Sequence, residues 1–147
     1  MKDSVFNDES SYFNSWYNIT KYFDKFFANR IGNLNISPNE VMFLSKIYYN
    51  KGISQKAIAN QMLVSEAYVT KMFKSLNNKN LVKKSIDPKN NTRRQLFLTE
   101  KGKKVFEEMI EIFNEFEELL FQKYGKDQIK YVAHIMATIG TDSLKFQ

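Results

Sequence analysis

The 147-residue chain has no cysteine and one histidine. Without thiols there is no disulfide, no thiolate nucleophile, no cysteine-ligated zinc and no thiol-based redox sensor. A single histidine leaves out most metallohydrolase sites and Ser-His-Asp arrangements as well. No apolar run approaches the roughly 18–20 residues that a membrane span requires. Met1-Lys2-Asp3-Ser4 has no apolar stretch behind it, which speaks against a secretory signal. These absences point away from an enzyme and from a membrane protein, and toward a cytoplasmic chain with neither metal nor cofactor.

What is present is a globular composition, 43% apolar and 26% charged. That suits one core with extended helical arms. The net charge of +6 is unevenly placed. Residues 51–104 hold 13 basic and 3 acidic side chains, residues 1–50 hold 5 of each, and residues 105–147 hold 4 basic and 8 acidic. A basic centre between neutral and acidic arms suits an anionic polymer as partner. The plainer alternative is a basic surface that serves solubility alone.

Apolar periodicity organises the chain into helices around one hairpin. Phe13, Trp16, Tyr17, Thr20, Phe23, Phe27 and Ile31 recur at helical spacing over about Ser10 to Arg30, and Gly32 follows as a stop. Ser37-Pro38-Asn39-Glu40 is a capping box for a helix whose inner face is Val41, Leu44, Ile47 and Tyr48. Ser54 caps a short helix that buries Ala57, Ile58 and Met62. After Leu63 and Val64, Ser65 caps another helix, with the stripe Val69, Met72, Phe73 and Leu76. Beyond Asn80 the period switches to two. Val82 and Ile86 share a strand face, Asp87-Pro88-Lys89-Asn90-Asn91 forms a turn cluster, and Leu96 and Leu98 mark the returning strand. Thr99 caps a long helix lined by Val105, Met109, Ile112, Phe113, Phe116, Leu119, Leu120 and Tyr124. Gly125 breaks it, and Ile129, Val132, Ala133, Met136 and Ile139 mark the last helix. The fold class is mainly α: a winged helix-turn-helix with long N- and C-terminal helices.

The stretches Ile53-Ser54-Gln55-Lys56-Ala57-Ile58-Ala59, Ser65-Glu66-Ala67-Tyr68-Val69-Thr70-Lys71, Lys79-Asn80-Leu81-Val82 and Leu98-Thr99-Glu100-Lys101-Gly102, in this order, resemble the MarR family of transcriptional regulators. The resemblance covers nearly the whole chain. Two departures stand out. The family usually has Gly where Asn80 stands, and Asn is the next most tolerant residue for a left-handed helix exit. Its wing commonly carries Asp-x-Arg, whose register here falls on Asn90 to Thr92 and matches neither residue; Arg93 and Arg94 follow immediately.

The terminal helices 10–31, 104–124 and 127–144 carry apolar stripes too large for a small winged helix to cover, which suits a homodimer in which residues 1–36 and 104–147 supply dimerisation helices and 37–103 a DNA-binding lobe. Two recognition helices would then meet successive major grooves of double-stranded DNA about 34 Å apart, on a pseudopalindromic operator. The resemblance implies small aromatic or phenolic effectors and, most often, repression. The outward face of the recognition helix, Glu66, Ala67, Tyr68, Thr70, Lys71 and Lys74, can reach base edges and phosphates. Ser54, Gln55 and Ser65 at the helix starts, with Arg93 and Arg94 in the wing, complete the DNA-facing set. Strand alternation sends the two arginines to opposite faces. The other features have ordinary readings. The aromatic helix is core or subunit interface, the glutamates from Glu107 to Glu118 a solvated face, and His134 a structural or surface residue. A winged-helix scaffold that binds a protein partner, with no sequence-specific DNA binding, is the alternative function. The missing thiol carries a consequence: mild, brief peroxide treatment should leave DNA affinity unchanged, and release that dithiothreitol reverses would contradict it.

Overall fold

The computed structural model describes residues 11–143. Among these described residues, six helices and a two-stranded antiparallel hairpin follow in the order α1 (Tyr12–Ile31), α2 (Pro38–Tyr49), α3 (Gln55–Met62), α4 (Glu66–Asn78), β1 (Val82–Asp87), β2 (Asn90–Leu98), α5 (Glu100–Tyr124) and α6 (Lys126–Ser143). A 3-10 turn, Gly32–Leu34, follows α1. Residues up to Met109 form one compact unit, and residues from Ile110 onward a second. Residues 1–10 and 144–147, where the aromatic helix was expected to begin and the last one to end, lie outside the described residues.

The serines act as expected from their positions. Ser37 accepts from the Glu40 amide (3.2 Å) while Glu40 Oε2 accepts from the Ser37 amide (2.9 Å), closing the capping box. Ser54 accepts from Ala57 N–H and Ser65 from Tyr68 N–H. Each relieves one of the amides a helix leaves unpaired at its start.

The core of the first unit is built from α2, α4 and the hairpin base. Phe43, Leu44, Ile58, Val69, Leu76 and Leu96 are fully buried, with Phe27 and Ile31 from the end of α1. The stripe Val69, Met72, Phe73 and Leu76 is buried throughout. The hairpin register pairs Val82 with Leu98, Lys84 with Leu96 and Ile86 with Arg94. One sheet face therefore carries all six, and only its inner end is buried: Val82 is covered, whereas Ile86 is 53% exposed. Ile53 adds a single antiparallel bridge to Leu96.

Two left-handed residues turn the chain where it has little room. Leu63 (φ 54°) ends α3, and the Val64 amide reaches back to the Ala59 carbonyl (3.0 Å). Asn80 (φ 60°) ends α4, and the Leu81 amide closes on the Leu76 carbonyl (3.0 Å). Both are six-to-one closures, and Asn adopts that conformation more cheaply than Leu. α5 begins against the second turn. Thr99 Oγ1 donates to Asn80 O, Thr99 N to Leu81 O, and Lys101 Nζ to Lys79 O. A side chain at Gly102 would place its Cβ on the Leu81 carbonyl. Only glycine permits that approach.

Glu40 is the one buried carboxylate on α2, 4% exposed. Lys79 Nζ donates to both of its oxygens (2.9 and 2.8 Å) and also to Asn35 O, and Ser75 Oγ donates at 2.7 Å. Burial pushes the carboxyl's pKa up. The Lys79, Ser37 and Ser75 hydrogen bonds, with the Lys79 charge, outweigh it and hold the pKa below the ordinary value. A depressed folded pKa contributes stability that is complete above the unfolded pKa and lost as pH falls through the folded one. Glu40→Gln should therefore cost about 2 kcal/mol in urea unfolding at neutral pH. That gap should narrow as pH falls below the ordinary carboxylate range. A gap that stays constant with pH would show that the charge contributes nothing.

Candidate nucleic-acid interface

The helix-turn-helix consists of α3, the Leu63-Val64 turn and α4. With Val69, Met72, Phe73 and Leu76 turned inward, the opposite side of α4 carries Ala67, Lys71, Lys74 and Asn78, all exposed. These recur at spacings of four, three and four, a straight outward stripe. Glu66 and Thr70 lie along one margin. Tyr68 lies along the other, half-buried, and lines a shallow depression with Met42, Lys46 and Gln61. Of the expected set, then, Ala67, Lys71 and Lys74 sit centrally, and Glu66, Thr70 and Tyr68 flank them. Asn78 was missed, although the same spacing continued by one step points to it.

Two of the expected residues are engaged with each other. Gln55 Nε2 donates to Thr70 Oγ1 (3.3 Å), while Thr70 Oγ1 donates to the Glu66 carbonyl (3.0 Å). This joins the start of α3 to the middle of α4 and fixes the Gln55 amide at the surface. Ser54 and Ser65 use their oxygens as caps, which leaves each hydroxyl hydrogen free to meet a phosphate.

The wing is shaped by a residue that sequence reading left inside a turn cluster. Asp87 is 7% exposed. Its Oδ1 accepts from Lys89 N–H (3.0 Å), an Asx turn that folds the chain tightly around Pro88. Its Oδ2 lies 3.9 Å from Arg93 Nε. A register shift falls between Ile86 and Asp87, and such bulges re-aim the strand tip. Arg94 donates to the Asn91 carbonyl (3.1 Å) and sits opposite Ile86 on the face continuous with the core. The two arginines thus have different neighbours: Arg93 faces an acid and Arg94 a carbonyl at the wing tip.

On the other face of the hairpin base is a cavity of about 480 Å³, lined by Tyr48, Lys51, Lys83, Phe97, Lys103 and Glu107 among others. Tyr48 packs against Phe106 with ring centroids 4.8 Å apart and planes tilted by 44°. Its hydroxyl donates to Glu107 Oε1 (3.5 Å). Phe106, 4% exposed, was absent from the expected apolar stripe.

The model of the MarR family matches residues 36–93, from the approach to α2 through the wing tip. Over that stretch the chain is similar to the MarR family. A Bacillus subtilis (strain 168) protein described as an uncharacterized HTH-type transcriptional regulator, YybA, is 32% identical over 74 residues. That match takes in 50% of this chain and 49% of that protein, so the chain spans about half the length of its relative. The transcriptional repressor CouR, bound to a 23-mer DNA duplex, superposes with a TM-score of 0.83 at 18% identity, covering 92% of this chain and 96% of that one. The S. aureus MepR–DNA complex gives 0.79 at 20% identity, over 92% and 98%. The crystal structure of MarR gives 0.77 at 19%, over 95% of each chain. At such identities these likenesses establish the fold: a MarR-type winged helix flanked by long helices. No helix among the described residues is long and apolar enough to cross a membrane.

The role of Asp87 in the wing has a direct readout. Asp87→Ala removes both the Asx turn and the Arg93 contact, and should cost about 1 kcal/mol while loosening the tip. Hydrogen exchange at the Lys89 amide should accelerate, with Leu96 and Leu98 amides unchanged. An unchanged Lys89 rate would remove Asp87 from the wing's architecture.

Proposed function

We propose that the chain is a DNA-binding transcriptional regulator, a repressor that holds a pseudopalindromic operator as a homodimer and responds to a small ligand. The observation that carries this reading is the outward stripe Ala67, Lys71, Lys74 and Asn78 on a helix that leads directly into a basic hairpin. Lysine and asparagine there suit guanine and adenine edges respectively, and the lysines suit phosphates equally. The DNA complexes of two proteins with the same fold support the geometry. On this reading the chain acts in the cytoplasm, beside the chromosome, and has no enzymatic role.

Dimerisation is supported by apolar surface that one chain leaves open. Tyr12, Phe13, Trp16, Tyr17, Ile19 and Tyr22 on α1 are all exposed, Trp16 at 46%. In the second unit, Leu119, Tyr131, Val132 and Ile135 are exposed too. A second copy covering these faces is the economical way to remove them from water. For the effector, the 480 Å³ cavity has the size of a small-molecule site. Tyr48 and Phe97 offer ring faces, and Lys51, Lys83 and Lys103 offer positive charge, the chemistry that an aromatic carboxylate or phenolate would use.

The test is fluorescence anisotropy on DNA from upstream of the protein's own gene, beside a scrambled duplex, with sedimentation to fix stoichiometry. One dimer per site is expected. Thr70→Ala should weaken the specific complex by about 1–3 kcal/mol and leave the scrambled one nearly unchanged. Equal losses on both duplexes would make Thr70 a positioning residue only. Failure of the wild type to bind either DNA would favour a protein-binding scaffold.

A further inference from the structure

We propose that Lys84, with Lys74 and Arg94, forms a phosphodiester-binding site in the crease between α4 and the wing. This rests on the DNA-binding reading and adds to it a fixed backbone anchor outside the recognition helix.

Three elements contribute one cation each. Lys84 lies on β1, with its ammonium 4.2 Å from the centroid of the Phe73 ring of α4. Arg94 lies on β2, and the register places Lys84 and Arg94 on the same face of the hairpin. Lys74 follows Phe73 directly and belongs to the outward stripe. Phe73 is buried, 8% exposed, so the ring that holds Lys84 is itself fixed by the core. Arg94 is steadied by its hydrogen bond to the Asn91 carbonyl.

The charges in this crease are uncompensated. The ion pairs among the described residues join Lys79 to Glu40, Arg93 to Asp87 and Lys103 to Glu100. None involves Lys74, Lys84 or Arg94. Burial, then the charges of Arg94 and Lys74, hold the Lys84 pKa below the ordinary lysine value. The folded protein thus maintains mutual repulsion that a bound anion would relieve. A lysine held over an aromatic ring also gives up little conformational freedom when it meets a phosphate. The crease adjoins the face that would enter the major groove, and there the available anion is the DNA backbone. Phosphate oxygens carry no sequence information. The site should therefore raise affinity for every duplex alike.

The experiment has two arms. In the first, binding of random and specific duplexes is followed against salt for the wild type, Lys84→Gln, Arg94→Gln, Lys84→Arg and, as a matched charge change elsewhere, Lys123→Gln. Each lost contact removes two per dimer, so the slope of log affinity against log salt should fall by roughly 1.8 for Lys84→Gln and for Arg94→Gln. The loss should be the same on both duplexes, with Lys84→Arg and Lys123→Gln near wild type. In the second arm, lysine side-chain NMR follows the protein without DNA as inorganic phosphate is added. Lys84 and Lys74 signals should move ahead of those of Lys89 and Lys123, and the Lys84 pKa should rise. DNA binding with wild-type slopes in both glutamine variants would overturn the proposal while leaving the regulator reading intact. If the wild type binds no DNA, that reading fails, and the phosphate titration decides the site: selective movement supports it, uniform movement overturns it.

Discussion

Glu40 sits where α2 begins, and its carboxylate gathers donors from elements far apart in the chain. It closes its own helix by accepting from the Ser37 amide, then accepts from Ser75 and twice from Lys79 at the end of α4. Lys79 in turn reaches the carbonyl of Asn35 before α2. A buried carboxylate with one donor would be a liability, because removing charge from water costs several kcal/mol. With four donor contacts it becomes a fixed point that sets the C-terminal end of the recognition helix against the loop leading into α2. The outward stripe of α4, the crease beside the wing and the start of α5 all take their positions from that helix.

The sequence made local chemistry legible and left distant chemistry hidden. The capping box at Ser37 and Glu40 could be read because its spacing is set by one helical turn. The reach of Glu40 to Ser75 and Lys79, 35 and 39 residues away, could not, since nothing local marks such a partner. The apolar stripe of α4 was read completely because four large residues repeat at helical spacing. That of α5 was misjudged at its start: its inner face runs Gly102, Phe106, Met109, and a glycine does not register as apolar. The aromatic helix shows a further limit. Periodicity puts Phe13, Trp16 and Tyr17 on an apolar face for core or subunit interface, and of α1 one chain buries only Phe27 and Ile31. Periodicity identifies a sticky face and is silent about what covers it.

The wing shows the same division. Pro88 and the asparagines announced a turn, but its geometry comes from Asp87, whose carboxylate was hidden inside a run of turn formers. Asp87 stands ahead of the turn and the two arginines follow it. The two arginines then face different neighbours, so the basic count of the hairpin overstates the charge available to a partner. Arg93 is partly answered by Asp87. Arg94, with Lys84 and Lys74, is answered by no carboxylate among the described residues.

The exit of the recognition helix has almost no mechanical play. Three consecutive carbonyls, those of Lys79, Asn80 and Leu81, are each occupied by a donor from Thr99, which precedes α5, or from Lys101 in its first turn, and Gly102 lets the two backbones approach closely. A joint gripped at three successive peptide units cannot swivel at one of them alone. The end of α4 and the beginning of α5 therefore move as one piece, like two rods welded at a corner. The other end of α4 is built differently. There Leu63 holds a left-handed conformation that costs a leucine energy, and its side chain, 71% exposed, gains little from packing. The strain of this reading unit thus sits at its entrance, and its backbone-to-backbone grip at its exit.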